Sequence, residues 1–334
     1  MTAPSRVTVL VPTRNEASDI EGCLASIAAQ DHPVDRLEVI VVDGGSDDDT
    51  VVVARRVLGR LGFESGKVLT NPAETTPSNF NVGLAQATAP IVCRVDARTR
   101  IEPHHVRTCA AVLAARPDVS VVGGAQVALA RDDSPTATGI ARALNNRWSM
   151  GGSPYRAART SRASDTVYLG AFRAADLRAV GGWDERLATN QDFDLNQRMA
   201  ERGTVWFEAS LRSGYLPRSS LRTLGQQYVR FGRWKARYWA ITGRRPGRRQ
   251  AAMLVAGPVA VGGLVIAVLA DARAALFPVA GLLVVDALGS DERRAPVATR
   301  AVSVAAIAVV TGGWLVGVWA QLLRIGRSAG RAAA

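Results

Sequence analysis

A run of twenty residues without a charge, AAMLVAGPVAVGGLVIAVLA at 251–270, most constrains what this chain can fold into. A helix of about twenty apolar residues is long enough to cross the hydrocarbon core of a bilayer. A longer apolar stretch follows at 301–323, and a shorter one lies between them at 275–288. The sequence therefore predicts a transmembrane region at 251–325 with two or three spans. The alternative is a set of core helices in a soluble domain.

Basic residues gather immediately before this apolar region. The chain has 41 Lys and Arg against 29 Asp and Glu, a net charge of +12, and no acidic residue lies between Glu208 and Asp271. Nearly the whole excess of positive charge falls in that interval. A polybasic stretch beside an apolar run is typical of a segment at an anionic membrane surface. We therefore predict basic juxtamembrane helices at 216–250 and no nucleic-acid partner; a solvated basic linker is the alternative.

The arginines also bear on orientation. Lys and Arg favour the cytosolic side of a span, so residues 244–249 are expected on the cytosolic face of the inner (plasma) membrane. With three spans, the arginines at 324–331 would lie outside. If the first and last apolar stretches were the two spans, the arginines at 293–300 would lie outside instead. The arginine count leaves both arrangements open.

The N-terminal part alternates between strand and helix patterns. RVTVLVPT (6–13) and LEVIVV (37–42) are apolar and rich in β-branched residues, as in the central strands of a parallel sheet. A helical pattern separates them, and a further helix (79–88) and strand (91–95) follow. This alternation predicts an α/β domain with a doubly wound sheet at 1–215. No signal peptide is seen and the three cysteines lack metal spacing, so we expect a cytosolic domain with reduced thiols.

Two carboxylates sit where predicted strands end. Asp43 follows 37–42, and Asp96 follows 91–95. Ligands of open α/β sheets bind off the carboxyl ends of the strands, so both side chains are candidates for a ligand site. Asp43 can accept a hydrogen bond from the imide N–H of a uracil-type base, and Gly44 lets the backbone approach a ligand closely. A polar turn before a helix is the alternative explanation of the segment DGGSDDDT.

Four motifs, in order, resemble those of glycosyltransferase family 2, whose catalytic domain has the GT-A fold. They are VPTRNE, VVDGGSDDDT, RVDAR and GGWDERLATNQDFDL. The segment YVRFGRWK and the apolar tail resemble the bacterial subgroup that includes the glucosyltransferase of succinoglycan assembly. The resemblance covers about residues 5–240. It implies a Rossmann-like, mostly parallel sheet and an inverting transfer of a sugar from a nucleotide diphosphate.

By this resemblance, several residues line a nucleotide pocket. The segment SNFNVGLAQA matches the part of the family that packs beside the base. The implied nucleotide-binding residues are Pro12, Thr13, Asn15, Glu16, Asp43, Gly44, Asn81 and Asp96.

Asp96 also matches the first acid of the Asp-any-Asp triplet that contacts ribose and a divalent cation in the family. The triplet here is Asp96-Ala97-Arg98, so a cation replaces the second carboxylate. Asp96 can still hold Mg²⁺ or Mn²⁺ with water and phosphate oxygens, since Mg²⁺ often takes only one or two protein carboxylates. Alternatively, Arg98 neutralises part of the diphosphate itself. We predict a retained divalent cation; an ion-pair cluster of Arg94, Asp96 and Arg98 is the structural alternative.

The segment NQDFDL resembles the family's Glu-Asp motif, with Gln191 in place of Glu. An inverting transfer needs a carboxylate near the acceptor hydroxyl to take its proton during attack on the anomeric carbon. The resemblance assigns this base to Asp192. Asp194 is the competing candidate, and a helix N-terminus that favours acids is the structural alternative.

The segment RFGRW fits the relaxed family pattern of Gln or Arg, two residues, then Arg-Trp. The resemblance implies that Arg230, Arg233 and Trp234 contact the diphosphate or the acceptor. Arginines and aromatic residues at a membrane edge suit a lipid diphosphate. An ordinary amphipathic interfacial helix is the alternative.

Together these features predict a membrane-anchored inverting hexosyltransferase. It would use a nucleotide-sugar donor, most plausibly a UDP-sugar, and a lipid-linked acceptor in exopolysaccharide or cell-envelope synthesis. A polyprenyl-phosphate monosaccharide synthase and an inactive nucleotide- or lipid-binding scaffold are the alternatives. The sugar, the linkage and the oligomeric state are not predicted.

Overall fold

The computed structural model describes residues 5–63, 65–149, 159–290 and 294–332. The chain divides into two compact units. The sheet unit comprises Met1–Val127 and Pro154–Leu216, and the helical unit comprises Ala128–Ser153 and Pro217–Ala334. The segment 128–153 thus groups with the C-terminal helices rather than with the sheet that precedes it in sequence.

The sheet unit is built on a nine-stranded sheet of order β3-β2-β1-β4-β8-β6-β9-β5, with β7 paired to β9. The strands β1, β2, β3 and β4 run parallel to one another, with the pairs β1–β2, β1–β4 and β2–β3. The remaining pairs described are antiparallel. The strands are β1 (Val7–Thr13), β2 (Leu37–Asp43), β3 (Lys67–Thr70), β4 (Ile91–Arg94), β5 (Thr99–Arg100), β6 (Val119–Ala128), β7 (Arg162–Ala163), β8 (Tyr168–Arg173) and β9 (Thr204–Tyr215).

The predicted α/β class is confirmed, and the sheet is mixed rather than mostly parallel. A parallel pair needs a crossover connection, which the helices after β1, β2 and β3 supply. Later in the chain β8 returns between β4 and β6 and pairs antiparallel with both.

Helices cover both faces of this sheet. The apolar side chains of β1 alternate between two cores, with Val9 in one and Leu10 in the other. Since both faces are buried, the central strands are mostly apolar, with Thr8 in β1 and Glu38 in β2 as buried polar exceptions. The first core is completed by α1 (Ile20–Ala28), α2 (Thr50–Arg60) and α4 (His105–Ala115), and the second by α3 (Thr76–Gln86), α6 (Ala174–Ala179) and α7 (Gln191–Met199).

One histidine in α4 makes the sheet unit sensitive to acid. His105 is buried, with Ser213 Oγ 3.3 Å from its Nδ1, and burial lowers its pKa to about 4. The unfolded chain, with a pKa near 6.5, takes up the proton first as pH falls. We therefore expect its contribution to stability to be intact above about pH 6.5 and lost by about pH 4, amounting to about 3 kcal/mol at 1.36 kcal/mol per pH unit.

The pH dependence of the melting temperature tests this expectation. His105→Gln should flatten the curve between pH 6.5 and 4, because the titrating group is gone. The matched control is His104→Gln, since His104 is the partly exposed neighbour that pairs with Glu102. If the melting temperatures of wild type and His105→Gln changed in parallel with pH, the assignment of this pH dependence to His105 would be contradicted.

The helical unit contains α5 (Pro135–Asn145), α8 (Leu221–Thr242), α9 (Arg248–Ala270), α10 (Leu276–Gly289) and α11 (Val297–Ala332). Its core is formed where α5, α8 and α11 meet, and includes Ile140, Leu144, Leu224, Tyr228 and Ile307. The apolar face of α5 is buried here, which explains why 128–153 groups with the C-terminal helices.

Glycines let α8 and α11 approach closely. A Cβ added to Gly232 would collide with the backbone of Trp314 and Val318, and one added to Gly317 would collide with the carbonyl of Val229. Small residues at such crossings allow backbones to come into contact.

Among the residues that the structure describes, three helices of this unit are long and apolar enough to cross a membrane: Arg248–Ala270, Ala272–Gly289 and Val297–Arg327. The second carries a buried charge. Asp286 is fully buried and receives hydrogen bonds from Arg142 of α5 at 2.9 and 3.1 Å and from Ser303 of α11 at 2.6 Å. Arg300 lies 3.5 Å away. This cluster joins α10 to α5 and α11.

Candidate active site

The parallel strands bring the predicted carboxylates to one edge of the sheet. β1 lies between β2 and β4, with Thr13 opposite Asp43 and Leu10 opposite Arg94. Since all three strands point the same way, Asp43 and Asp96 both lie at the carboxyl edge, as expected for a ligand site.

Asp43 is 2% exposed and closes its own turn. Its Oδ2 accepts hydrogen bonds from the backbone N–H groups of Gly45 at 3.1 Å and Ser46 at 2.9 Å, and its Oδ1 accepts from Ser46 Oγ. An ionised carboxylate offers about four lone-pair sites, so the turn leaves Asp43 capacity for one more donor.

Gly44 lies against a buried asparagine that the sequence did not single out. A Cβ on Gly44 would lie 2.8 Å from Nδ2 of Asn79. That amide donates to the carbonyls of Val42 at 3.2 Å and Thr13 at 3.4 Å, so Asn79 joins the ends of β1 and β2. A polar residue on the apolar face of helix α3 was the signal that could have identified it.

The turn after β1 supplies further polar groups. Pro12 and Thr13 are buried at the strand end, and Thr13 Oγ1 has no hydrogen-bond partner among the described residues. Asn15 is in the left-handed region at φ 54°, and its Oδ1 accepts from the backbone N–H of Asp47 at 2.8 Å. The loops after β1 and β2 are therefore fixed to each other.

Glu16 and Arg98, both predicted site residues, bind each other. Two guanidinium nitrogens donate to the two oxygens of Glu16 at 2.7 Å, and Asp19 lies 3.9 Å away. Burial opposes ionisation, but the bonds and charge of Glu16 raise the pKa of Arg98 above its ordinary value. Arg98 thus carries its charge at the strand edge with a carboxylate already paired to it.

Arg94 joins the two other predicted acids. It donates to both oxygens of Asp96, at 2.9 and 2.8 Å, and also contacts Asp192 Oδ1. The Arg94 side chain is 9% exposed, while those of Asp96 and Asp192 are 29% and 34% exposed. Two partly exposed carboxylates, far apart in sequence, are therefore held beside one buried cation.

An aromatic stack supports this guanidinium. Arg94 lies 4.9 Å from the ring centroid of Phe80, which stacks on Trp183 at 4.5 Å. A cation over an aromatic face is attracted by the ring quadrupole. The sequence singled out none of the three as site residues. An arginine in an otherwise apolar strand was the available signal, because a buried charge requires partners.

The two candidate bases on α7 differ in their surroundings. Asp194 is buried and accepts from Arg198 at 2.7 Å, and Arg198 also donates to the carbonyls of Val180 and Gly182. Asp194 therefore fixes the loop before α7. Asp192, in the first turn of α7, remains partly exposed next to Arg94.

Asn81 fixes the same loop from α3. Its Nδ2 donates to the carbonyl of Trp183 and to Glu185, both at 2.8 Å, and its Oδ1 accepts from the Trp183 N–H at 2.9 Å. These contacts account for all the hydrogen-bonding groups of the Asn81 side chain except one lone pair.

The protein side chains near Asp96 can hold a divalent cation only if a bound ligand supplies further coordinating atoms. Within the described ranges, no three His, Cys, Asp or Glu side chains cluster closely enough to hold a metal ion. Asp96 is partly exposed, and its oxygens retain lone pairs beyond those that accept from Arg94. It fits a hard cation as a single protein ligand, with water and phosphate oxygens supplying the others.

The remaining predicted residues lie in the helical unit, on α8. Arg230 and Arg233 are exposed, and Trp234 is half-buried. Arg237 lies 4.9 Å from the ring centroid of Trp234. Gly232, which lies between Arg230 and Arg233 in the sequence, faces α11.

Comparison with known proteins identifies the family. The model of Glycosyl transferase family 2 matches residues 8–173. The chain is 30% identical over 325 residues to the succinoglycan biosynthesis protein ExoA of Rhizobium meliloti (strain 1021), covering 94% of each chain. It is 25% identical, over 68% of its length and 71% of the relative, to a dolichyl N-acetyl-alpha-D-glucosaminyl phosphate 3-beta-D-2,3-diacetamido-2,3-dideoxy-beta-D-glucuronosyltransferase of Methanococcus voltae.

Solved structures share the fold. The mannosyltransferase PcManGT from Pyrobaculum calidifontis, in complex with GDP-Man and Mn²⁺, superposes with a TM-score of 0.66 at 21% identity, covering 95% of this chain and 87% of that one. S. aureus TarS 1–349 in complex with UDP-GlcNAc gives 0.51 at 15% identity, covering 96% and 92%. Because the family model falls on the strands that carry Asp43 and Asp96, and the likeness to ExoA extends over nearly the whole chain, this protein belongs to glycosyltransferase family 2 and is a glycosyltransferase.

Proposed function

We propose that this protein is an inverting glycosyltransferase that moves a hexose from a UDP-sugar to a hydroxyl of a lipid-linked acceptor. The observation that carries the proposal is the joint contact of Arg94 with Asp96 and Asp192. One carboxylate comes from the strand edge where nucleotides bind in α/β sheets, and the other from α7, which lies between β8 and β9 in the chain. The pair therefore brings a donor-side and an acceptor-side group together.

Asp192 is the general base of this proposal. It takes the proton of the acceptor hydroxyl as that oxygen attacks the anomeric carbon, while the bond to the leaving diphosphate breaks. Arg94 holds the carboxylate in place from a buried position. Asp194 is already bound to Arg198, which supports Asp192 as the base.

The donor side is assigned to the loops after β1 and β2. Asp43 would accept from the imide of the base, and Pro12, Thr13, Asn15, Glu16, Gly44 and Asn81 would line or support the pocket. Asp96 would hold Mg²⁺ or Mn²⁺, which supplies positive charge to the leaving diphosphate. Related structures contain GDP-Man with Mn²⁺ in one case and UDP-GlcNAc in another, so our preference for UDP comes from Asp43 alone.

A lipid-linked acceptor follows from the helical unit. Its three candidate spans and exposed arginines suit a lipid diphosphate at the inner leaflet, with the catalytic domain in the cytosol of the producing cell. Arg230, Arg233 and Trp234 remain predicted contacts of the diphosphate or the acceptor, as does Arg98. The name of the R. meliloti relative supports a role in exopolysaccharide assembly.

Nucleotide release tests the proposal. Purified full-length protein should release UDP from a UDP-sugar when a membrane lipid extract is added, with a glycolipid product detected by mass. We expect Mn²⁺ or Mg²⁺ to support release, and a chelator to reduce it at least tenfold.

A matched pair of variants identifies the cation site. Asp96→Asn should abolish most metal-dependent release. Asp118→Asn should not, although Arg116 and Asp118 form the same kind of pair two residues apart, because Arg116 lies over Trp206, outside the candidate site. Equal rates with cation and with chelator would contradict the cation at Asp96. Release from GDP-sugars only would contradict the assigned base.

A further inference from the structure

We infer that only α9 and α10 cross the membrane, as a hairpin, and that α11 lies along the membrane surface on the side of the arginines. The inference rests on the membrane attachment proposed above. By length and composition alone all three helices qualify as spans. The three helices differ in how they pack within the helical unit.

The first observation is the close contact between α11 and α8. Gly232 of α8 abuts the backbone of Trp314 and Val318, near the middle of the apolar stretch Val297–Arg327. Gly317 abuts the carbonyl of Val229. Any membrane depth assigned to the centre of α11 therefore applies to the centre of α8 as well.

The second observation is the charge carried by α8 at this crossing. Arg230 and Arg233 flank Gly232 and are exposed. If α11 spanned the bilayer, both guanidinium groups would lie near its midplane, where each costs about 2.5–3.5 kcal/mol even on insertion scales. Exposed arginines beside the centre of α11 are instead compatible with a helix at the membrane surface.

The third observation is that α9 and α10 are less enclosed by the rest of the helical unit than α11 is, and that the residue of α11 that meets Gly257 of α9 is the apolar Leu315. None of the apolar stretch of α9 is buried within the protein and 17% of that of α10 is, against 33% for α11. Their exposed side chains are large and apolar, including Val255, Val259, Ile266, Leu269, Phe277 and Leu283. Contact of such a surface with lipid chains is favourable, whereas its contact with water is not.

The arginines agree with this arrangement. A hairpin returns the chain to its starting side, so Arg294, Arg300, Arg324 and Arg327 join Arg244–Arg249 there. The turn between the two helices carries only Arg273, next to Asp271. The hairpin therefore places these arginines on the cytosolic side, which Lys and Arg prefer. With three spans, Arg324 and Arg327 would lie outside, against that preference.

Asp286 fits the same topology. It lies three residues before the end of α10, about 5 Å along the helix axis. Its partners Arg142, Ser303 and Arg300 belong to α5 and to the start of α11. The charged cluster is thus expected at the membrane boundary, where α10 leaves the bilayer, and not at its centre.

The shape of α11 suits a surface position. Its 36 residues would extend about 54 Å, well beyond the roughly 30 Å of a bilayer core. One face, with Ser303, Ile307 and Val310, is buried within the helical unit, while Val316, Trp319 and Leu323 are exposed on another. The exposed apolar side would rest on lipid and the buried side on α5 and α8.

Cysteine labelling in intact spheroplasts of the producing cells tests the topology. Single substitutions at exposed positions, Arg245→Cys, Arg273→Cys, Arg294→Cys and Arg327→Cys, are made in the full-length chain, whose own three cysteines are buried. A membrane-impermeant maleimide should label Arg273→Cys from outside. The other three cysteine variants should react with the maleimide only after the membrane is permeabilised.

The outcomes separate the topology from the attachment itself. Labelling of Arg327→Cys from outside would show a third crossing and overturn the inference, and so would failure to label Arg273→Cys from outside while permeabilised cells react. Recovery of the wild type in the soluble fraction would instead overturn membrane attachment. Wild type and variants are compared by melting temperature in detergent, and a variant that melts early is replaced by Cys at the adjacent exposed residue.

Discussion

Replacing Asp192 with Asn should lower the turnover number by about 10²–10⁴-fold, the usual contribution of a positioned general base. The amide has nearly the same shape but cannot take the proton of an acceptor hydroxyl. Donor affinity should change little, because Asp192 lies on α7 and not in the loops after β1 and β2. Single-turnover transfer of labelled sugar and calorimetric titration with UDP measure the two effects separately.

The matched control is Asp194→Asn, on the same helix two residues away. This change removes the partner of Arg198, so it should lower the melting temperature while the folded enzyme keeps its turnover. Near wild-type turnover by Asp192→Asn would contradict the hydroxyl acceptor, since a lipid phosphate needs little deprotonation.

Replacing Asp286 with Leu should destabilise the helical unit by about 3–5 kcal/mol, as expected when one member of a buried ion pair is removed. Arg142 has a side chain that is 5% exposed, so without Asp286 its guanidinium stays buried and loses this carboxylate partner. The melting temperature of the full-length protein in detergent, followed by the loss of helical signal, measures the effect.

The double variant Arg142→Met/Asp286→Leu should recover most of that loss. Buried pairs replaced by apolar residues of similar volume are often neutral or stabilising. Arg300, with a side chain that is 38% exposed, can turn to solvent in both variants. A double variant as unstable as Asp286→Leu would show that the loss of stability comes from packing and not from breaking the ion pair.

The sequence was sufficient to predict the class of fold and the family. Continuous apolar strands, amphipathic helices and the acids that follow β2 and β4 are local patterns, and each predicts a structure by itself. The two predicted acids Asp43 and Asp96 lie at the same sheet edge because parallel strands end together.

Pairings between distant residues could not be predicted in the same way. The sequence offered Arg94 only as part of an ion-pair cluster with Asp96 and Arg98, yet it also contacts an acid 98 residues later. The motif resemblance favoured Asp192 over Asp194, and the structure adds that Arg198 binds Asp194 while Arg94 contacts Asp192.

The sequence by itself determined which segments are apolar, which are basic and which residues end the strands, because these properties depend on composition and short-range spacing. Only the tertiary structure decided which carboxylate pairs with which arginine and which apolar helix packs beside charged residues. Burial and ion pairing depend on residues far apart along the chain, so they arise only when the elements pack together.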